Sequence, residues 1–158
     1  GLRLALNIGA LIIAFLAVLA AANALIGFLG GLIGMPDLSL ESILALLLAP
    51  IAWLMGVPWA DCSEVGTLLG KKTILNEFIA YLDLQSLVES NAISERATII
   101  ATYALCGFAN IGSIGIQIGG IGGIAPSRQS DLAKIGVRAM VAGTLACFTT
   151  ACIAGMLL

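Results

Sequence analysis

Two stretches of this chain carry no charged side chain at all: the thirty-two residues from Leu4 to Met35 and the thirty-one from Ala97 to Ser127. Such runs fix the solvent before they fix the fold. At about 1.5 Å rise per residue, a helix through either one outreaches a roughly 30 Å hydrocarbon core, so it must tilt or project. Composition points the same way: 60% of residues are hydrophobic, 10% are charged and the mean hydropathy is +1.11. An ordinary soluble domain is about a quarter charged. The chain therefore reads as an all-α integral membrane protein embedded in a lipid bilayer. A net charge of −2 and the absence of histidine leave no basic face for a nucleic acid. Cys62, Cys106, Cys147 and Cys152 form no CxxC pair. Three of them lie in apolar runs, where cysteine behaves as a small hydrophobe, so the spacing offers neither a metal cage nor a disulfide framework.

Arg3 ahead of an apolar run, with Ala22-Asn23-Ala24 behind, imitates a secretory signal. The run continues far beyond the roughly 7 to 15 residues such a core needs, so a long transmembrane helix over residues 1–35 is expected instead. The start at Gly1 without methionine suggests the C-terminal part of something longer. Pro36 and Asp37 end the span. Ser39 with Glu41 and Ser42 looks like the capped start of a helix from Leu40 to about Met55, and Pro50 is expected to interrupt it. Its apolar length is marginal, so residues 36–60 read as an external helix lying at the membrane face, plus a linker carrying the interface-type residues Trp53 and Trp59.

Residues 61–93 contain "EVGTLLGKKTILNEFIAYLDL". Gly66, Gly70 and Lys71 do not make a phosphate loop, which needs four residues between its glycines and Ser or Thr directly after the lysine. What remains is two apolar pieces, each too short to span, around a polar centre at Asn76 and Glu77. That pattern predicts a re-entrant helical hairpin whose tip lines a water-filled cavity, because non-helical backbone at membrane depth is tolerated only there or inside protein.

Residues 94–127 begin at the helix start Ser94-Glu95 and stop at Pro126. In their middle, Gly107 and Gly112 bracket Phe108-Ala109-Asn110-Ile111, and a break there would free backbone groups to face a ligand. Asn110 and Ser113, three apart, can be directed toward one point; the alternative is that they merely bond across helices. Gly115, Gly119 and Gly123 recur every four residues and predict close approach of a neighbouring helix. Arg128, Lys134 and Arg138 then form a basic loop before a last apolar helix, Ala139 to Leu158, together residues 128–158. By the positive-inside rule this cluster and Arg3 face the cytoplasm, while Asp37, Glu41, Asp61, Glu64 and the C-terminus face outward.

"GKKTILNEFIAY", "ALCGFANIGSIGIQIGGIGGIAPSR" and "AGTLACFTTACIAGML" resemble the C-terminal half of the concentrative nucleoside transporters, over essentially the whole chain. The resemblance implies half of an inverted-repeat transporter from a bacterial cytoplasmic membrane, with scaffold helices assembled as a homotrimer around a mobile transport domain. It implies that Glu77, Asn110 and Ser113 bind the ribose of a nucleoside, with Asn76 beside Glu77 at the hairpin tip, and that Phe108 borders the nucleobase. It further implies that base selection and the coupling cation, Na+ or H+, belong mainly to a first repeat that this chain lacks. No organic cofactor is implied, and the reading is a carrier rather than an enzyme.

The chemistry of the residues is compatible with those roles. A carboxylate near the bilayer midplane costs several kcal/mol and usually marks a substrate or ion pathway. The vicinal hydroxyls of a sugar can meet the two oxygens of Glu77 in charge-assisted bonds, and an amide such as Asn110 both donates and accepts. Two alternatives stand beside this: a salt bridge from Glu77 to Lys71 or Lys72, and an ion channel or other permease subunit in which these charges line a pore.

Overall fold

The computed structural model describes residues 1–35 and 38–158. Pro36 and Asp37, expected to end the first span, lie outside the described residues. Seven α-helices follow in order: α1 (Leu2–Leu32), α2 (Leu40–Leu54), α3 (Cys62–Ile74), α4 (Glu77–Glu89), α5 (Glu95–Leu105), α6 (Ile111–Ile124) and α7 (Gln129–Leu157). Among the described residues there is no strand. Among the described residues, two helical segments are long and apolar enough to cross a membrane, Leu2–Leu32 and Pro126–Leu157.

The glycine strip of α6 packs on α1. A Cβ on Gly115 would stand 2.7 Å from the Phe15 ring, one on Gly119 2.6 Å from Leu11, and one on Gly123 2.8 Å from Leu4. The partners run backward along α1 as the glycines run forward along α6, so the two helices are antiparallel. Small residues every four positions allow this approach. Gly66 and Gly70, left without a role once the phosphate loop is discarded, do the same for α3. Their Cβ positions would lie 2.7 Å from the carbonyl oxygens of Ala45 and Glu41 respectively, so α2 and α3 meet backbone to backbone.

That contact explains one departure from expectation. Pro50 does not interrupt α2, which runs on to Leu54. The lost N–H and ring clash cost about 3 kcal/mol in a helix interior, and packing against α3, with Ala52 fully buried in the core, outweighs the local preference. The start of α2 is as expected: Ser39 and Ser42 form a reciprocal capping box. It is reinforced from α1, where Asn23 accepts from the Leu40 amide at 2.8 Å and donates to both Glu41 oxygens at 2.9 and 3.0 Å.

A second departure concerns the basic cluster. Lys134 and Arg138 do not lie in a loop ahead of the last helix; α7 begins at Gln129, ten residues before the apolar run. Leu132, Ala133, Lys134 and Arg138 are good helix formers, Asp131 suits the first turn and pairs with Arg128, and the two basic side chains stay on exposed positions.

The core lies among α2, α3, α4, α5 and α7, where Val65, Leu68, Leu69, Ile100, Leu105 and Ala151 are almost fully buried. Arg96 on α5 locks two ends together, donating to the carbonyls of Gly56 and Gly155 at 2.9 and 2.7 Å. Trp53 and Trp59 are both exposed and meet edge to face, 6.3 Å between ring centroids.

Candidate functional site

Helices α3 and α4 form a hairpin of two 13-residue arms, each about 20 Å long at 1.5 Å per residue. Lys71 and Asp83 pair across the arms. Asp61 just before α3 accepts hydrogen bonds from the backbone and hydroxyl of Ser94 just after α4, so the chain enters and leaves the hairpin at one end. The opposite end is the turn Leu75-Asn76. Asn76, in extended conformation, caps α4 by accepting from the Ile79 amide at 3.0 Å. Glu77 therefore occupies the first turn of α4, where the partial positive charge of the helix start favours a carboxylate.

The break between α5 and α6 covers Cys106 to Asn110. Its downstream limit is set by Asn110 rather than by Gly112, which lies inside α6 as its second residue. The reason is hydrogen bonding. Asn110 Oδ1 accepts from the Ser113 amide at 2.8 Å, and Ser113 Oγ accepts from the Asn110 amide at 3.3 Å while donating to the Asn110 carbonyl at 2.6 Å. A capping box starts the helix there irrespective of the glycine two residues on. Gly112 instead makes room: a Cβ on it would sit 3.3 Å from Asn110 Oδ1. Gly107 makes room for α7, since a Cβ there would collide with Cys147 Sγ.

These two helix starts meet. Asn110 Nδ2 donates to Glu77 Oε2 at 3.2 Å, so a continuous chain of hydrogen bonds runs from Glu77 through Asn110 to Ser113. Asn110 and Ser113 are buried, 2% and 8% exposed, while Glu77 is half-buried and keeps oxygen lone pairs free. Phe108 is exposed and lines a cavity of about 430 Å³ between α6 and α7, with Gly107, Ser113, Gln117, Met140 and Gly143. That volume suits a small-molecule site. Asn76, Glu77 and Asn110 are not part of its lining, so Ser113 is the residue shared by the hydrogen-bonded chain and the cavity. The salt-bridge alternative for Glu77 fails: among the described residues the ion pairs are Lys71–Asp83 and Arg128–Asp131.

Sequence pattern gave Lys71 and Lys72 the same alternatives and did not single out Lys72, which is 1% exposed with a buried Nζ. The only signal was the doublet itself, since adjacent residues on a helix point about 100° apart and cannot both reach Asp83.

A family model described as the C-terminus of Na+ dependent nucleoside transporters matches residues 1–155. An uncharacterized transporter of Bacillus subtilis is 47% identical over 99% of this chain and 38% of its own length. Solute carrier family 28 member 3 of Homo sapiens is 46% identical over 99% of this chain and 24% of its own. The chain thus spans well under half the length of these relatives. Among solved structures, a variant of the transporter CNTnw in an outward-facing state superposes with a TM-score of 0.92 at 41% identity, over 98% of this chain and 39% of that one. CNTnw in an inward-facing substrate-bound state gives 0.77 at 42% identity over 97% of this chain and 38% of that one. From residue 1 to residue 155, this chain belongs to the Na+ dependent nucleoside transporter family and corresponds to its C-terminal region.

Proposed function

We propose that the chain is the C-terminal region of a secondary active nucleoside importer, driven by Na+ or H+, which holds the ribose at the meeting point of α4 and α6. The observation that carries this reading is the Glu77–Asn110–Ser113 hydrogen-bonded chain, which brings two helix N-termini and one carboxylate to a single point. Two positive helix ends favour a carboxylate between them, and the free oxygens of Glu77 accept the vicinal hydroxyls of a sugar. Phe108, exposed at the adjoining cavity, borders the nucleobase, and Asn76 keeps its amide N–H groups available beside Glu77. Ser113 spends its hydroxyl proton on the Asn110 carbonyl, so toward a substrate it offers an acceptor lone pair.

Alternating access supports the carrier mechanism over a pore. At near-equal coverage and identity, the likeness is closer to the outward-facing CNTnw variant than to inward-facing CNTnw, so the same stretch of a relative is arranged differently in the two structures. In this reading α1 belongs to a scaffold in a homotrimer, α2 lies at the outer membrane face, and the α3–α4 hairpin and the broken α5–α6 pair belong to the moving part. The protein resides in a bacterial cytoplasmic membrane with its C-terminus outside. The coupling cation, itself cargo, is held mainly by the preceding repeat.

The test uses the full-length protein in liposomes under an imposed Na+ or H+ gradient. Saturable uridine accumulation against its gradient is expected; unsaturable flux without accumulation would overturn the carrier reading in favour of a channel. Glu77→Gln is expected to weaken uridine binding by about 1.5 to 3 kcal/mol, the worth of a hydrogen bond to a charged group. It should also shrink the preference for uridine over 2′,3′-dideoxyuridine. An unchanged preference rules out ribose recognition by Glu77.

A further inference from the structure

Three polar side chains are buried among the described residues: Asn110, Ser113 and Lys72. The first two belong to the site above, and Lys72 does not. Its Nζ is the buried side-chain atom left without a hydrogen-bond partner, while its neighbour Lys71 is engaged with Asp83 on the opposite arm. Lys72 lies in the last turn of α3 and Glu77 in the first turn of α4, so the two face the hairpin tip from its two arms, with only Thr73, Ile74, Leu75 and Asn76 between them in the chain.

The enclosure of Nζ means that no substrate touches it, so any influence on binding passes through a neighbour. Glu77 is the nearby anion, and it is not in a salt bridge with Lys72. This separation matters chemically. A direct ion pair would occupy the carboxylate oxygens that hydroxyl groups need, whereas a cation held at non-bonding distance offsets the charge of the carboxylate and leaves its lone pairs open. A low-dielectric surround makes that offset stronger than it would be in water.

We propose that Lys72 is a positioning residue for nucleoside binding, a tethered cation whose field stabilises the Glu77 carboxylate in the arrangement that receives the ribose hydroxyls. The proposal rests on the reading of Glu77 as the ribose ligand, and it gives the second lysine of "GKKT" a task that Lys71 cannot share.

The experiment is a double-mutant cycle in the full-length protein, with equilibrium binding of uridine and 2′,3′-dideoxyuridine to wild type, Lys72→Met, Glu77→Gln and the double variant. Lys72→Met is expected to weaken uridine binding by about tenfold, within the usual range of coupling between neighbouring groups. It should leave dideoxyuridine within about twofold and change uridine binding by less than about twofold once Glu77 is glutamine. If Lys72→Met does not accumulate in the membrane, Lys72→Gln, which keeps a donor without the charge, is read in the same way. Equal weakening of both ligands in both backgrounds would overturn the proposal and make Lys72 a packing residue. If Glu77→Gln itself leaves the uridine to dideoxyuridine ratio unchanged, the ribose reading falls and takes this proposal with it. The two failures are therefore distinguishable.

Discussion

Asn110 performs two tasks with the two ends of one amide, and substitutions can separate them. Its oxygen caps α6 through the Ser113 amide at 2.8 Å, and its nitrogen holds Glu77 Oε2 at 3.2 Å. Asn110→Ser keeps a side-chain acceptor of equal capping rank but is too short to reach Glu77. It should keep the cap's contribution to stability while losing a hydrogen bond to a charged group, about 1.5 to 3 kcal/mol at most. Because Glu77 is half-buried and water recovers part of that in the free protein, about tenfold weaker uridine binding, near 1.4 kcal/mol, is the expected reading. Asn110→Ala also removes the cap and leaves the buried Ser113 amide short of a partner, which adds about 1 kcal/mol of lost stability. Asn110→Asp keeps the cap but sets one carboxylate against another, so of the two capped variants it should be the less stable and the weaker binder. The assays are thermal unfolding in detergent and equilibrium uridine binding, both on the full-length protein. Wild-type affinity in Asn110→Ser would refute the role of the amide–carboxylate bond. Coincident melting of the Ser and Ala variants would refute the cap.

Gly66→Ala drives a Cβ into backbone, 2.7 Å from the Ala45 carbonyl and 2.9 Å from the Ala49 amide, and should cost about 1 to 3 kcal/mol. Gly120→Ala meets only the tip of Ile8 at 3.6 Å and should gain up to about 1 kcal/mol of helix propensity, so melting shifts of the same sign would contradict the different packing of these two glycines. Gly112→Leu crowds Asn110 Oδ1 and should weaken uridine binding while membrane insertion is retained; unaltered binding would mean the cap tolerates displacement. The complete protein is expected to be a homotrimer, and a monomer mass in mild detergent at every concentration would contradict this.

What the sequence makes legible depends on which force decides each residue. The first long helix is legible because thirty-two consecutive residues without a charge match the span of a bilayer and little else. The strip Gly115, Gly119, Gly123 is legible because its spacing is itself the packing surface. Pro50 is misleading because its penalty is local while the compensation, α2 against α3, is tertiary and leaves no mark in the α2 sequence. Lys134 and Arg138 mislead because a cluster of charge resembles a loop, although both residues favour helix as well as any. Lys72 is invisible because nothing in a doublet says which lysine turns inward.

The break between α5 and α6 shows where glycine stops being a guide. Its glycines point to a break, yet glycine only permits a chain to leave the helix; it cannot say where the next one begins. A helix start needs an acceptor for its unpaired amides, and both segments that follow an interruption open with asparagine: Asn76 before α4 and Asn110 before α6. Those residues stand out as polar interruptions in apolar sequence, and their capping role follows from the same observation. Each cap fixes a helix end of positive potential, and the two ends meet at Glu77, where the proposed function places a neutral polyhydroxyl ligand. The residues that start the helices are thus the residues that build the proposed site, which is why that site is easier to find in the sequence than the packing that supports it.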